Sequence, residues 1–408
     1  VCAPAIGSGA FPVGMMHEII RARNTLTTYL PAERERTNYN FKRHAIQNCL
    51  YGVDIDPGAV EIAKLRLWLS LVVDEEDIRQ IQPLPNLDYK IVCGNSLLGV
   101  GKNLFNLELF NELERLKALY FDKTNAKEKQ AHKNQIDDLI RQITNDNENF
   151  DFEVYFSEVF HEKGGFDIVI ANPPYVRADS GTEHLLFREK LRQSGAYQTL
   201  YEKWDLLIPF VERGLSITDT NGDLIYIVSN AICTSKYAFK LLDLIQEKYY
   251  THSIDYFEEM EVFEAGVIPI VLHVGKTNGN GITKKTVRCD SFDNIKSRTE
   301  IPTGKFKALG RDAFRKEYTT MAFNTRKVNL GDICYMSVGM VINADEKTAK
   351  GEFTKDDLIS GTKTKIHSRR YIEGKDIDSY IIKRTRYLEW GTKRVPGQLR
   401  RATFSELY

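Results

Sequence analysis

The tetrapeptide Asn172-Pro173-Pro174-Tyr175 carries the sharpest chemical signal in the sequence, and it directly follows a largely apolar run at 166–170. The amino group of a planar base is a poor nucleophile because its lone pair is delocalised into the ring. Two acceptors, the Asn172 side-chain carbonyl and the Pro173 backbone carbonyl, could accept hydrogen bonds from its two N–H groups and so localise that lone pair on nitrogen. Tyr175 offers a face on which the base can stack. The alternative interpretation is a proline turn after a strand.

Three weaker signals come earlier in the chain. A glycine-containing segment at 3–11 joins a short strand to a helix, and glycines there let the backbone approach a ligand closely. Asp54 ends a second strand, where a ribose diol is usually held, although a helix-capping role is the alternative. Asn95 follows a third strand and could hydrogen-bond an adenine edge, or it could only form a turn.

These four signals predict the fold. Strands end near Cys2, Asp54, Cys93 and Ile170, with helical patterns between them. Alternation of strand and helix is typical of an α/β doubly wound, mostly parallel Rossmann-like sheet. In such a sheet ligands bind beyond the carboxyl ends of the strands, so four weak signals at four consecutive strand ends support one another.

The rest of the chain predicts an insertion, a connector and a partial second domain. Helical spacing of apolar residues indicates a charged helical hairpin inserted at about 101–164. Further strands are expected at 224–228, 254–257 and 268–272, with Pro269 placing the last one at an edge or a bulge. We expect residues 1–276 to form the catalytic domain, 277–325 an irregular connector, and 326–408 part of a second domain.

Composition narrows the function class. The six cysteines are scattered, so neither a disulfide framework nor a metal site is predicted. The absence of long apolar runs and of a signal peptide predicts a cytoplasmic protein without a membrane partner. The chain has 408 residues and no formal net charge. Both of its ends suggest a segment of a longer protein.

A local basic surplus stands against this neutral whole. Between Lys363 and Arg401 there are twelve Lys and Arg residues and only four Asp and Glu residues, a surplus of eight. Such a stretch suits the phosphates of nucleic acid. A solvated basic surface is the alternative.

The arrangement resembles the N-P-P-Y amino-methyltransferases, in particular the adenine-N6-specific DNA methyltransferases of type IIG restriction-modification systems and their phage-exclusion relatives. The resemblance is close over about 1–275 and looser to Tyr408. It implies methylation of adenine N6 in double-stranded DNA by base flipping, with S-adenosyl-L-methionine as the cofactor, and it allows for a nuclease domain upstream.

The resemblance also implies roles for individual residues. It implies catalytic roles for Asn172, Pro173, Pro174, Tyr175 and Phe263, the last of these stacking on the flipped base. It implies cofactor-binding roles for Ala5, Gly7, Ser8, Gly9, Phe11, Asp54, Ile55, Asn95, Ser96 and Leu97. It implies helper positions at Trp204, Asp205, Ser229 and Asn230. It implies a target-recognition domain in which the DNA-binding candidates are Arg369, Arg370, Lys375, Arg384 and Arg386.

One departure stands out. Ala3 occupies the position where the family usually has an aspartate, so weak cofactor binding is expected of this segment. Two alternatives stay open: an N-P-P-Y methyltransferase acting on a protein glutamine or on RNA, and a DNA-binding homologue without cofactor affinity.

Overall fold

A computed structural model describes residues 1–27, 29, 36–73, 86–99, 107–122, 126–144, 150–176, 182–258, 260–263, 267–316, 356–378 and 381–392. The chain divides into two compact units, Val1–Thr320 and Met321–Tyr408. None of the helices in these ranges is long and apolar enough to cross a membrane.

One large sheet organises the first unit. Its described strands are β1 (Cys2–Ala3), β2 (Tyr51–Asp54), β3 (Ile91–Cys93), β4 (Phe166–Ala171), β5 (Thr218–Ser229), β6 (Tyr250–Glu258), β7 (Pro269–Gly275), β8 (Ile282–Cys289) and β9 (Ile295–Pro302). Their order is β3-β2-β1-β4-β5-β7-β6-β8-β9. The pairs from β3 to β5 are parallel, whereas β7 runs antiparallel to both of its neighbours. The predicted doubly wound, mostly parallel sheet is confirmed, and its topological switch point lies between β1 and β4.

Helices cover this sheet. They are α1 (Ala10–Thr27), α2 (Asn38–His44), α3 (Pro57–Val72), α4 (Leu107–Asp122), α5 (Ala126–Thr144), α6 (Phe152–Tyr155), α7 (Ser157–Lys163), α8 (Thr182–Gln193), α9 (Leu207–Ile217), α10 (Phe239–Lys248) and α11 (Thr303–Ala308). Asp56 caps α3 by accepting a hydrogen bond from Gly58, and Pro57 takes the first helical position, as the sequence predicts.

Separate hydrophobic clusters lie on the two faces of the sheet. One joins Ala3 and Ile91 to Met16 on α1 and Leu67 on α3. The other packs the opposite faces of β2 and β4 against the later helices, with Trp204 fully buried. Burial on both faces explains why the central strands are apolar along their length rather than alternating.

The helical hairpin predicted at 101–164 is present as α4 and α5. Leu113 and Leu116 on α4 pack against Ile136 and Ile140 on α5 in a cluster of their own. Tyr89, which precedes β3, joins this cluster and donates a hydrogen bond of 2.8 Å to Asp137. The insertion is therefore anchored to the edge of the sheet at β3.

Two expectations for the later strands were wrong. β7 lies between β5 and β6, so Pro269 is not at an edge; it begins the strand, a position where a missing N–H does little harm. The supposed connector continues the sheet through β8 and β9, because β8 pairs in parallel with β6. The Gly- and Asn-rich stretch near 277–281 does form a turn, in which the Gly281 N–H donates to the Asn278 carbonyl at 3.0 Å, but this turn joins β7 to β8 within the sheet. Residues 317–325 of the supposed connector lie outside the described residues.

The described part of the second unit is built from short strands. β10 (Ile359–Ser360), β11 (His367–Tyr371) and β14 (Arg386–Glu389) form a sheet in the order β10-β14-β11, and β12 (Ile377–Asp378) pairs with β13 (Ile381–Ile382). Leu358 and Leu388 form its small core with Tyr371 and Trp390 at the margin.

Candidate functional site

The loop after β1 is fastened to the end of β2. Asp54 accepts a hydrogen bond of 2.8 Å from the Gly7 backbone N–H and one of 3.1 Å from that of Asp56. The Ile6 N–H donates to the Val53 carbonyl at 2.9 Å. Three predicted cofactor residues, Gly7, Gly9 and Asp54, are thus brought together at adjacent strand ends.

Both glycines of this loop have positive φ. Gly9 has a φ of 81°, and a Cβ built on it would lie 3.0 Å from the Ala63 Cβ on α3. Gly7 has a φ of 53°, but a Cβ there would meet nothing within 4 Å. Gly9 therefore permits close packing of the loop on a helix, whereas Gly7 faces open space at the strand end.

The loop after β3 closes a third side. The Asn95 side-chain oxygen accepts a hydrogen bond of 3.0 Å from the Leu97 N–H, and the Ser96 hydroxyl donates to the Pro4 carbonyl at 2.6 Å. Ser96 and Leu97 are buried. Ser96 therefore joins the loops after β1 and β3, whereas Leu97 is buried and Asn95 remains partly accessible.

Tyr197 and Arg66 also contact these loops, although no pattern in the sequence points to them. Tyr197 donates its hydroxyl hydrogen to the Leu97 carbonyl at 2.6 Å, across a hundred residues of sequence. Arg66 on α3 donates to the Ser8 hydroxyl at 3.2 Å. Neither residue lies in a recognisable motif, because each acts through a contact that only the tertiary fold creates.

The other predicted cofactor residues differ in exposure. Ser8 is exposed, and Ala5 and Phe11 are half-buried. Ile55 is 69% exposed directly after Asp54, which is unusual for an isoleucine at the end of a core strand.

The N-P-P-Y loop leaves β4 at the switch-point edge of the sheet. The Asn172 side-chain oxygen is buried and has no hydrogen-bond partner among the described residues. Such an atom costs roughly 1–3 kcal/mol. Pro173 is buried and Pro174 exposed, and the Val176 N–H donates to the Pro174 carbonyl at 3.1 Å. The loop is thus a rigid turn in which the Asn172 side-chain oxygen has no hydrogen-bond donor among the described residues.

Tyr175 and Phe263 meet beside this loop. Their ring centroids lie 6.0 Å apart with planes inclined at 54°. The Tyr175 hydroxyl donates to the Ile227 carbonyl at 3.3 Å, which fixes the ring. Burial, aided by the charge of Asp205, raises the pKa of Tyr175 to about 12, so this phenol stays neutral.

The reversed direction of β7 explains how Phe263 reaches Tyr175. β6 is antiparallel to β7 and parallel to β8, and it ends at Glu258 on the same edge where β7 begins at Pro269. The described residues between them, 260–263 and 267–268, therefore lie at this edge. A cavity of about 590 Å³ opens beside it, lined in part by Asn230, Phe263 and Ile268.

Charged groups also line this cavity, among them Glu258 and Lys316. Glu258 pairs with Lys296 at 2.7 Å and with Lys316. Hydrogen bonds from these two lysines lower the pKa of Glu258 to about 2. The cavity wall thus combines the Phe263 ring with the fixed Glu258 carboxylate and the Lys316 cation.

The predicted helper residues are structural neighbours of the N-P-P-Y loop. The Leu206 N–H donates to the Val176 carbonyl at 3.2 Å. Trp204 is buried beneath the Arg188 guanidinium, 3.9 Å from its ring centroid, and Asp205 accepts from the Leu207 N–H at 3.2 Å. Ser229 accepts from the Ala231 N–H at 3.3 Å, which leaves Asn230 exposed at the cavity.

The five DNA-binding candidates in the second unit separate into two groups. Arg369, Arg370 and Arg384 are exposed. Lys375 is exposed but pairs with Glu373 at 2.8 Å. Arg386 is only 8% exposed and binds both Glu373, at 2.9 Å, and Asp376.

The pairing of Arg386 has an electrostatic consequence. Its guanidinium lowers the pKa of Asp376, which also accepts from the Glu373 N–H at 2.9 Å. The structure therefore places Arg386 in an internal ion-pair network and leaves Arg369, Arg370 and Arg384 at the surface.

A doubly wound sheet with a glycine turn, a carboxylate and an N-P-P-Y loop at successive strand ends defines the class of N-P-P-Y amino-methyltransferases. The Eco57I restriction-modification methylase family matches residues 48–263, more than half of the chain, and the chain belongs to this family.

Individual relatives are consistent with this. A putative type II restriction enzyme and methyltransferase of Methanocaldococcus jannaschii is 43% identical over 110 residues, which are 26% of this chain and 9% of the relative. The adenine-specific methyltransferase PglX of Streptomyces coelicolor is 22% identical over 304 residues, 70% of this chain and 21% of the relative. The chain thus spans a small part of the length of either relative.

Among solved structures, the type IIL restriction-modification enzyme MmeI in complex with DNA is similar at 13% identity. The match covers 100% of this chain and 46% of the other, with a TM-score of 0.48.

Proposed function

We propose that this chain catalyses the S-adenosylmethionine-dependent methylation of adenine N6 in duplex DNA, as part of a restriction-modification or phage-defence system. The observation that carries the proposal is the buried, unpartnered side-chain oxygen of Asn172. Native structures rarely bury an acceptor without a partner, so such an atom calls for an explanation. A substrate amino group that donates to it provides one.

The cofactor proposal is supported by the residues at the strand ends. Gly7 faces open space, Asp54 is a half-buried carboxylate, and Ile55 exposes an apolar side chain next to it. A carboxylate suits the ribose hydroxyls of a nucleoside, and an apolar side chain suits its base. These residues fit S-adenosylmethionine, which would supply the methyl group. Ala3 is fully buried in the core, so position 3 offers no charge to that ligand.

The chain's own residues would then activate the amino group. Asn172 Oδ1 and the Pro173 carbonyl accept hydrogen bonds from its two N–H groups, which localises the lone pair on nitrogen. The N–C bond would form as the S–C bond of the sulfonium breaks, which leaves a neutral thioether, and the nitrogen would then release one proton to solvent water. No side chain has to become a covalent intermediate, so catalysis rests on positioning and on fixed dipoles.

The aromatic pair supports a flipped base as the substrate. Extruding a base from the duplex costs a few kcal/mol, and stacking on Tyr175 and Phe263 offsets that cost. Their rings already contact one another at 6.0 Å, so an apolar surface stands ready beside the acceptor. The neutral phenol of Tyr175 adds no charge that would oppose this stacking.

The relatives favour DNA and adenine. PglX is described as an adenine-specific methyltransferase, and the matching family is one of restriction-modification methylases. In the second unit we propose that Arg369, Arg370 and Arg384 contact phosphates, and that Lys375 does so to a lesser extent. Arg386 is proposed to support this surface from within, because its guanidinium is already bound.

The sequence leaves two alternatives open. The substrate could be a protein glutamine or RNA, or the chain could be a DNA-binding homologue without cofactor affinity. A glutamine amide presents the same two N–H bonds, so Asn172 alone does not discriminate between it and adenine. The family to which the chain belongs favours DNA.

The decisive experiment supplies methyl-labelled S-adenosylmethionine together with duplex DNA, RNA or a release factor, and identifies the product by mass spectrometry. We expect N6-methyladenine from DNA only. Asn172→Ala should lower turnover by roughly 10²–10³-fold, the usual cost of losing one transition-state hydrogen bond. Asn221→Ala, an exposed position, is the matched control. Label on a glutamine amide, or normal turnover of Asn172→Ala, would contradict the proposal.

A further inference from the structure

Three side chains of ligand type converge on neighbouring strands away from the N-P-P-Y loop. They are Asp223 on β5, His252 on β6 and His273 on β7, the strand between the other two. Asp223 Oδ1 lies 3.4 Å from His252 Nε2 and 3.2 Å from His273 Nε2. Among the residues that the structure describes, no other group of three or more His, Cys, Asp or Glu side chains lies this close together.

An irregularity in β6 brings His252 into this group. Thr251 pairs with Val274 and Ser253 pairs with His273, so His252 is the extra residue of a β-bulge. A bulge re-aims a side chain that regular alternation would send elsewhere. As a result the two imidazole rings lie 4.9 Å apart.

Two glycines leave room for the cluster. A Cβ at Gly275 would lie 2.5 Å from His252 Nε2 and 2.7 Å from Asp223 Oδ1. A Cβ at Gly279, which has a φ of 56°, would lie 2.9 Å from the His252 ring. A side chain at either position would displace the histidine.

The contacts within the cluster are not hydrogen bonds. His273 Nε2 is buried and has no hydrogen-bond partner among the described residues, although it lies 3.2 Å from the Asp223 carboxylate. A short separation without hydrogen-bond geometry is expected where both atoms point at a third centre.

We propose that Asp223, His252 and His273 bind one Zn²⁺ ion. A tetrahedral ion with bonds of about 2.0–2.1 Å separates its ligand atoms by roughly 3.3–3.4 Å, close to the two distances observed. Two imidazoles and one carboxylate suit Zn²⁺ and related transition metals, whereas Ca²⁺ and Mg²⁺ prefer sets of oxygen ligands. Three protein ligands leave the fourth position to water.

The site is remote from the proposed chemistry. Asp223 precedes Ser229, at the reactive end of β5, by six residues, or about 20 Å at about 3.3 Å per residue. The ion would clamp β5, β7 and β6 together. The sequence predicts no metal site, because the two histidines are 21 residues apart and His252 is the extra residue of a bulge that no local pattern reveals.

The test uses the whole chain after treatment with EDTA and removal of the chelator. Zn²⁺ uptake is counted by elemental mass spectrometry, Co²⁺ is added as a visible reporter of tetrahedral sites, and thermal unfolding is followed with and without Zn²⁺. The variants are His252→Ala, His273→Gln and Gly275→Ala, and His17→Ala removes an exposed histidine on α1 as the control.

We expect one Zn²⁺ per chain, tetrahedral Co²⁺ bands and a Zn²⁺-dependent rise in Tm for the wild type and His17→Ala. Each of the other variants should weaken Zn²⁺ binding by more than the roughly 10–100-fold that loss of an outer-shell partner costs. Their Tm in EDTA, compared with that of the wild type, shows whether they fold. Zn²⁺ uptake that persists in folded His252→Ala and His273→Gln, or a wild type that binds none, would overturn the proposal.

Discussion

Asn172→Ala tests the proposed site through folding as well as through activity. Most substitutions destabilise a protein by 0.5–3 kcal/mol. Here the opposite is expected, because the wild-type side-chain oxygen is buried without a partner. Removing it relieves roughly 1–3 kcal/mol, and the packing lost from a small, half-buried side chain offsets part of this gain. The net expectation is a gain of about 0–2 kcal/mol in the free energy of unfolding.

The assay is urea denaturation of the wild type and the variant side by side with the methyl-transfer reaction. The matched comparison is Asn95→Ala, since the Asn95 oxygen accepts a hydrogen bond of 3.0 Å from the Leu97 N–H. That variant should lose about 1 kcal/mol, the net value of an ordinary hydrogen bond. The two substitutions are thus expected to change the free energy of unfolding in opposite directions.

The reasoning is refuted if Asn172→Ala is destabilised as much as Asn95→Ala. That result would mean that the Asn172 oxygen has a partner in the folded protein and is not held in reserve for a substrate. A gain in stability with normal turnover would remove only the catalytic role. A gain in stability together with a loss of turnover would show that the unpartnered Asn172 oxygen lowers the free energy of unfolding but is needed for activity.

Three further predictions follow from other contacts. Asp54→Ala should weaken S-adenosylmethionine binding by about 1.5–3 kcal/mol per lost charged hydrogen bond, measured by calorimetry. Burial lowers the pKa of Lys90 to about 8, so between pH 8 and about 10.4 the unfolded chain binds more protons than the folded chain. The free energy of unfolding of the wild type should therefore rise with pH in this range, by at most about 1.4 kcal/mol per pH unit. Lys90→Met should not show this rise. Replacing Arg369 and Arg370 with alanine should reduce the salt slope of DNA binding by up to about 1.8, whereas Arg386→Met should destabilise the second unit.

Each of these predictions has an outcome that would contradict it, and the first also has a matched control variant. Asp56→Ala removes only the cap of α3, so its affinity for the cofactor should equal that of the wild type. Unchanged affinity of Asp54→Ala for S-adenosylmethionine would mean that Asp54 only stabilises the loop conformation through its hydrogen bonds. A pH slope that survives in Lys90→Met must come from another group. An unchanged salt slope would assign the DNA contact to another surface.

Local patterns were sufficient where one motif determined one element. The cap at Asp56 and Pro57, the apolar run of β4 and the helical spacing of α4 and α5 each predict the element found. Because strand ends of a parallel sheet share an edge, the sequence also predicts that Gly7 and Asp54 lie together, and they share a hydrogen bond.

Tertiary pairing accounts for what the sequence did not reveal. Pro269 was expected at an edge because a proline removes one ladder donor, but as the first residue of β7 it leaves the rest of the ladder intact. Arg386 belongs to a basic stretch, yet its side chain is directed inward by Glu373 and Asp376. Charge counted along a sequence does not distinguish a paired cation from an exposed one.

The position of β1 has a consequence for how the protein folds. β1 is the first of the described strands in sequence but lies inside the sheet, third of nine, where Cys2 pairs with Val169. The β1–β4 pair therefore cannot form until β4, at Phe166–Ala171, has left the ribosome, and long-range pairing of this kind is slow. The α4–α5 hairpin lies within the intervening chain and forms its own core from local contacts, so it can fold first. Since doubling the length of a loop adds only about 0.6 kcal/mol to its closure, an insertion at this place can vary in size with little effect on the sheet around it.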